Sequence, residues 1–109
     1  MKKKVFISHP YSDNEAINLE KATLICQKII ESEADILPVS PLHHFSFMDG
    51  DEGYREDIMG VCLHNIKYCD ELWVFGDSKG CRREAKYAKE IGVPIEYVNN
   101  LNTKLFKLE

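Results

Sequence analysis

Glu71-Leu72-Trp73-Val74-Phe75-Gly76-Asp77-Ser78-Lys79-Gly80-Cys81-Arg82-Arg83-Glu84 reads as an apolar strand running into a polar, glycine-containing turn that opens a helix. A continuous apolar run such as Leu72 to Phe75 suits a strand covered on both faces. The turn after it is where an open α/β sheet places its ligand, outside the carboxyl ends of the strands. Free amides at a helix start favour an anion such as phosphate. Helical side chains tilt toward the N-terminus, so Glu84 can lean back over the strand ends.

Outward from this stretch the chain alternates strand and helix. Val5 to Ser8 reads as a buried first strand, followed by the loop His9-Pro10-Tyr11-Ser12. Ser12 and Glu15 have capping-box spacing, and a helix is predicted from about Asn14 to Glu33. Leu19, Ala22, Cys26, Ile29 and Ile30 supply its apolar stripe. Asp35 to Val39 is a short strand whose Pro38 argues for an edge position. Ser40 to Gly53 reads as a long loop carrying His43 and His44, and long loops are often functional. Tyr54 to Tyr68 is a second helix with Ile58, Val61, Cys62 and Ile66 inward. Ser78 to Ile91 is a third, with Cys81, Ala85, Ala88 and Ile91 inward. Gly92 ends it and Pro94 follows. Pro94 to Val98 is the fourth strand, and Asn99 to Glu109 an amphipathic tail with room for one more short strand.

The order β-α-β-α-β-α-β predicts an α/β fold: a flavodoxin- or Rossmann-like three-layer sandwich with a parallel sheet of four to five strands. Right-handed crossovers favour strand order 2-1-3-4. The switch point then lies between the first and third strands, where the loops at Ser8 to Tyr11 and Asp77 to Gly80 would meet.

The 109 residues suit one domain spanning 1–109, and 44% are hydrophobic, ordinary for a globular protein. A formal net charge of -4 argues against a general nucleic-acid binder but leaves room for a small anion held locally. Lys2-Lys3-Lys4 is not followed by the apolar core of a signal peptide, and no stretch is long enough to span a bilayer. No membrane partner and a cytoplasmic location are therefore expected. Cys26, Cys62, Cys69 and Cys81 form no CxxC pair and read as buried thiols, with Cys62 and Cys69 on one helical face. The histidines have no carboxylate or thiol at ligand spacing, so neither a metal nor an organic cofactor is expected.

Each candidate site residue carries two readings. Glu84 suits the positive end of a helix dipole, and it equally suits a nucleophile at an anomeric carbon. The small inward residues Cys81, Ala85 and Ala88 keep it near the crevice. Ser78 and Gly80 make an ordinary capped turn or an anion cradle. Arg82 and Arg83 are surface charges or a phosphate clamp. Tyr11 is a loop aromatic or a hydroxyl that orients the carboxylate or a sugar. His9, His43 and His44 stand at strand ends as structural hydrogen-bonders or ligand contacts. Arg55 and Asp57 open a helix after a loop.

These residues resemble the nucleoside 2-deoxyribosyltransferase-like superfamily, and within it a group of short bacterial and phage proteins. The resemblance covers Val5 to about Val98. It rests on Ile7-Ser8-His9-Pro10-Tyr11-Ser12, Pro38-Val39-Ser40-Pro41, Tyr54-Arg55-Glu56-Asp57 and Cys69 to Gly76 with Ser78-x-Gly80-x-x-x-Glu84. It implies that Glu84 attacks the anomeric carbon, leaving a covalent glycosyl-enzyme. Six residues earlier the transferases carry an Asp; here Ser78 stands, as in the deoxynucleoside 5′-monophosphate N-glycosidases, where the Ser contacts phosphate. The resemblance therefore implies a nucleoside 5′-monophosphate ligand, with Glu84, Tyr11 and Asp57 catalytic. Nucleotide contacts are expected from Ser8, His9, His43, Arg55, Ser78, Gly80 and Arg82, and the resemblance implies a homodimer or larger assembly. The alternative expectation is a catalytically silent module that binds a nucleotide or an ADP-ribose-like signal.

Overall fold

Two adjacent strands with apolar central runs, Val5-Phe6-Ile7 and Leu72-Trp73-Val74, organise the molecule. In the computed structural model, which describes residues 2–11, 14–32, 35–45 and 52–98, these are β1 (Lys3–Ser8) and β3 (Glu71–Val74). They pair in parallel, Val5 opposite Glu71 and Ser8 opposite Val74. β2 (Ile36–Val39) flanks β1, and β4 (Ile95–Tyr97) flanks β3, so the parallel sheet runs β2-β1-β3-β4. The predicted fold class and strand order are those observed. Pro38 lies in the edge strand β2, where a missing amide costs no central ladder bond.

Helix α1 (Glu15–Glu31) covers one face of the sheet. Ile25 and Ile29 of α1 pack there with Val5, Ile7, Trp73 and Val98. The other face carries α3 (Arg55–Ile66) and α4 (Lys79–Ile91). Cys62 and Ile66 of α3 meet Cys81, Ala85 and Ala88 of α4 over Phe6, Leu72 and Val74. Period-two alternation explains the division: Phe6 and Ser8 project to one face, Val5 and Ile7 to the other. Between β2 and α3 lie a five-residue helix, α2 (Pro41–Phe45), and a 3-10 turn (Glu52–Tyr54).

Several boundaries differ from expectation. Asn14, not Ser12, caps α1, its side chain accepting from the Ile17 amide at 3.4 Å; Ser12 lies outside the described residues. The predicted loop 40–53 contains α2. Ile30 is 64% exposed, and Val61 and Ile91 are exposed too, whereas Ile25 is buried. A neighbouring position on a helix is turned by about 100°, so apolar character alone does not choose between Ile29 and Ile30 or between Val61 and Cys62. Cys69 lies beyond the end of α3 and packs at the edge of the core instead of continuing the face of Cys62. The amphipathic tail 99–109 lies outside the described residues.

Candidate functional site

α4 carries a buried stripe at Cys81, Glu84, Ala85 and Ala88, steps of three and four residues with one charge among small groups. The stripe faces the sheet, so Glu84 is carried inward with its neighbours and is only 7% exposed. Ser8, the last residue of β1, is fully buried on the same face. Its Oγ donates to Glu84 Oε1 at 2.6 Å, across 76 residues of sequence. No hydrogen bond to Oε2 occurs among the described residues. Burial pushes the Glu84 carboxyl up to about 7, partly offset by the Ser8 hydrogen bond, which favours the ionised form. Cys62 faces this group from α3; burial, then the nearby Glu84 charge, pushes its thiol up to about 12, so it stays protonated at neutral pH.

The two loops at the switch point meet as the topology requires. Phe75 donates its amide to the Ser8 carbonyl at 2.8 Å. Gly76 lies against the Pro10 ring so closely that a β-carbon there would run into Cγ and Cδ of Pro10. The step after β3 must therefore be glycine, or the Pro10 loop must move. Ser78 caps α4, its Oγ accepting from the Cys81 amide at 3.1 Å. Gly80 follows in the first turn, where a β-carbon would sit 3.4 Å from Met59 Cε of α3. The Tyr11 hydroxyl is buried with no hydrogen-bond partner among the described residues, while its carbonyl accepts from Asn18 at 3.1 Å.

Other expected residues are differently placed. Arg82 turns back to the Asp77 carbonyl at 2.9 Å and carboxylate at 3.2 Å. Arg83 pairs with Glu56 at 2.8 Å, tying α4 to the first turn of α3. Asp57 and Arg55 are exposed in that same turn. His9 Nδ1 donates to the Pro10 carbonyl at 2.7 Å, and burial lowers its pKa, so the ring is neutral at pH 7. His43 is not brought to Glu84. Its Nδ1 lies 2.6 Å from Ser40 Oγ and its Nε2 2.7 Å from Thr23 Oγ1 of α1, the helix on the opposite face. Among the described residues no group of three or more potential metal ligands comes together.

Sequence reasoning missed the Ser8–Glu84 bond and the Cys62 neighbour. Alternation along β1 was the available signal, since it puts Ser8 beside Phe6 on the α4 face. A shallow cavity of about 350 Å³ lies on the β4 side of α4, lined by Val74, Asp77, Arg82, Lys86 and Tyr97 among others, and Glu84 is not in its wall.

A family model described as a domain of unknown function, DUF7768, matches residues 3–98. No curated protein matches. Among solved structures, the chain is similar to a 2-deoxyribosyltransferase from the psychrotolerant bacterium Bacillus psychrosaccharolyticus, with TM-score 0.66 and 19% identity over 86% of this chain and 70% of that one. It is also similar to a 2-deoxyribosyltransferase from Leishmania mexicana, with TM-score 0.65 and 15% identity over 87% of this chain and 63% of that one. At such identities the likeness is one of fold.

Proposed function

The chain belongs to the DUF7768 family, and we propose that it cleaves or transfers at the N-glycosidic bond of a nucleoside or deoxynucleoside 5′-monophosphate, with Glu84 as nucleophile. The observation that carries this reading is a buried carboxyl at the C-terminal edge of the sheet, between β1 and β3, with its pKa at about 7. A carboxyl poised near neutrality, held by one defined partner, is what perturbation at functional sites produces. The fold it shares with 2-deoxyribosyltransferases adds support.

Ionised Glu84 attacks the anomeric carbon of the sugar. The bond to the base breaks with its electron pair going to the base nitrogen, which takes a proton from solvent water as it leaves. Water then opens the glycosyl ester and restores the carboxylate; a second base at that step gives transfer instead. The start of α4 offers the phosphate its first-turn amides and the Ser78 hydroxyl proton, because capping uses only the oxygen of Ser78 as acceptor. Gly80 lies in that turn, and Arg82 reaches the phosphate by leaving Asp77. Tyr11 and Asp57 orient the substrate, and the buried Tyr11 hydroxyl has its donor proton available for a sugar oxygen.

The near-complete burial of Glu84 favours a second reading, a silent module that binds a nucleotide or ADP-ribose-like molecule without turnover. Incubation with deoxynucleoside monophosphates, with free base followed by chromatography, separates the two. Base release lost in Glu84→Gln by on the order of 100-fold or more is expected. Release that survives Glu84→Gln removes the nucleophile, and tight binding with no release leaves the silent module.

A further inference from the structure

Ser8 and Glu84 are the two polar residues that are buried as a whole among the described residues, and they are bonded to each other. From that pairing we infer that Ser8 is a positioning residue, its hydroxyl holding Oε1 of Glu84 so that Oε2 is presented to the anomeric carbon. The inference rests on the glycosidic reading for its chemistry, but the bond itself does not.

The placement of Ser8 is suited to the task. Its backbone is fixed in the ladder, opposite Val74, with its carbonyl accepting from Phe75. The side chain has one heavy-atom torsion, so little freedom is lost in aiming it. Glu84 has three, and an unheld carboxylate would sample several rotamers. A 2.6 Å oxygen–oxygen separation is that of a charge-assisted hydrogen bond. The surroundings are apolar or weakly polar: Phe6 from β1, Cys62 from α3 and Cys81 from α4 are all buried there. Burying a hydroxyl and a carboxyl in such a place costs stability that an apolar pair of similar volume would not. The pair therefore has no packing rationale, whereas holding a nucleophile in a near-attack geometry requires such a partner.

The role differs from the nucleotide contact expected of Ser8 from sequence. A hydroxyl whose proton is given to Glu84 is not free to donate to phosphate. It also sets how readily Glu84 ionises, because the hydrogen bond works against the burial that holds the carboxyl neutral. The other ionisable groups near the site are engaged elsewhere. Cys62 is a thiol, His9 is neutral against Pro10, and Asp77 with Arg82 and Glu56 with Arg83 form ion pairs.

The test compares Ser8→Ala and Ser8→Thr with the parent protein by two readouts. The first is the titration of the Glu84 carboxyl carbon by NMR on the unliganded protein, assigned by its loss in Glu84→Gln. The second is the pH profile of base release from deoxynucleoside monophosphates. Ser8→Ala is expected to move the Glu84 titration upward. It should lower kcat by on the order of 10- to 100-fold while changing KM little, and carry the acidic limb of the profile upward with it. Ser8→Thr, which keeps the hydroxyl, is expected to restore the titration and most of kcat. An unmoved titration in a folded Ser8→Ala protein overturns the inference. So does a loss confined to KM, which would make Ser8 a ligand contact. If the parent releases no base, the glycosidic reading fails, and the NMR titration with its Ser8→Thr rescue still decides whether Ser8 holds Glu84.

Discussion

At Glu84 the link between chemistry and stability has a definite sign. The folded carboxyl titrates at about 7 against an ordinary 4.5, so the folded state prefers the neutral form. The stability it contributes is fully present below pH 4.5, is lost as pH rises through 7, and the resulting cost is complete above that. The shift corresponds to at most about 3 kcal/mol. Glu84→Gln removes the titration while keeping an oxygen for Ser8. The variant should therefore be more stable than the parent at pH 8, and its stability should vary less between pH 5 and pH 8. Urea denaturation at the two pH values measures this, and parallel pH dependences in parent and variant would contradict it. The candidate nucleophile was legible from the sequence because strand, turn and helix are local. Its partner was not, because Ser8 and Glu84 are joined only when β1 lies beside β3 and α4 folds back over both.

α4 joins the structural and functional roles in one element. Its start is capped by Ser78 and its end by Gly92, which takes the left-handed conformation with φ 84°. Ser78→Ala should cost about 1 kcal/mol, the usual value of a lost N-cap. Ser78→Asp keeps a capping acceptor but sets a negative charge where the phosphate would lie. It should hold thermal stability near the parent's and raise KM for a 5′-monophosphate far more than for the unphosphorylated nucleoside. Equal effects on both substrates would place the phosphate elsewhere. The capping residues were readable from sequence since both act within one turn. The inward face was read correctly at Cys81, Ala85 and Ala88. It was misread at Ile91, which is exposed in the last turn of α4.

The whole molecule depends on two cores divided by one sheet, and Phe6 anchors the core beneath the candidate site. It is fully buried against α3 and α4 and stands two residues before Ser8 on the same face. Phe6→Ala should cost about 3–5 kcal/mol, through lost transfer energy and a cavity. Chemical denaturation would measure this; a cost under about 1 kcal/mol would show that the core re-forms around the gap. Among the described residues no helix is long and apolar enough to cross a membrane.

What the sequence by itself determined is the alternation of strands and helices, the edge position of Pro38, the order of the sheet and the strand-turn-helix that carries Glu84. These follow from hydrophobic period, turn chemistry and the handedness of crossovers, which act over short spans or through general rules. The tertiary structure alone decided that Ser8 bonds to Glu84, that Cys62 stands beside it and that His43 turns to Thr23 on the other face. Side-chain partners are chosen by burial and by competing contacts between elements far apart in the chain, and no local pattern encodes those.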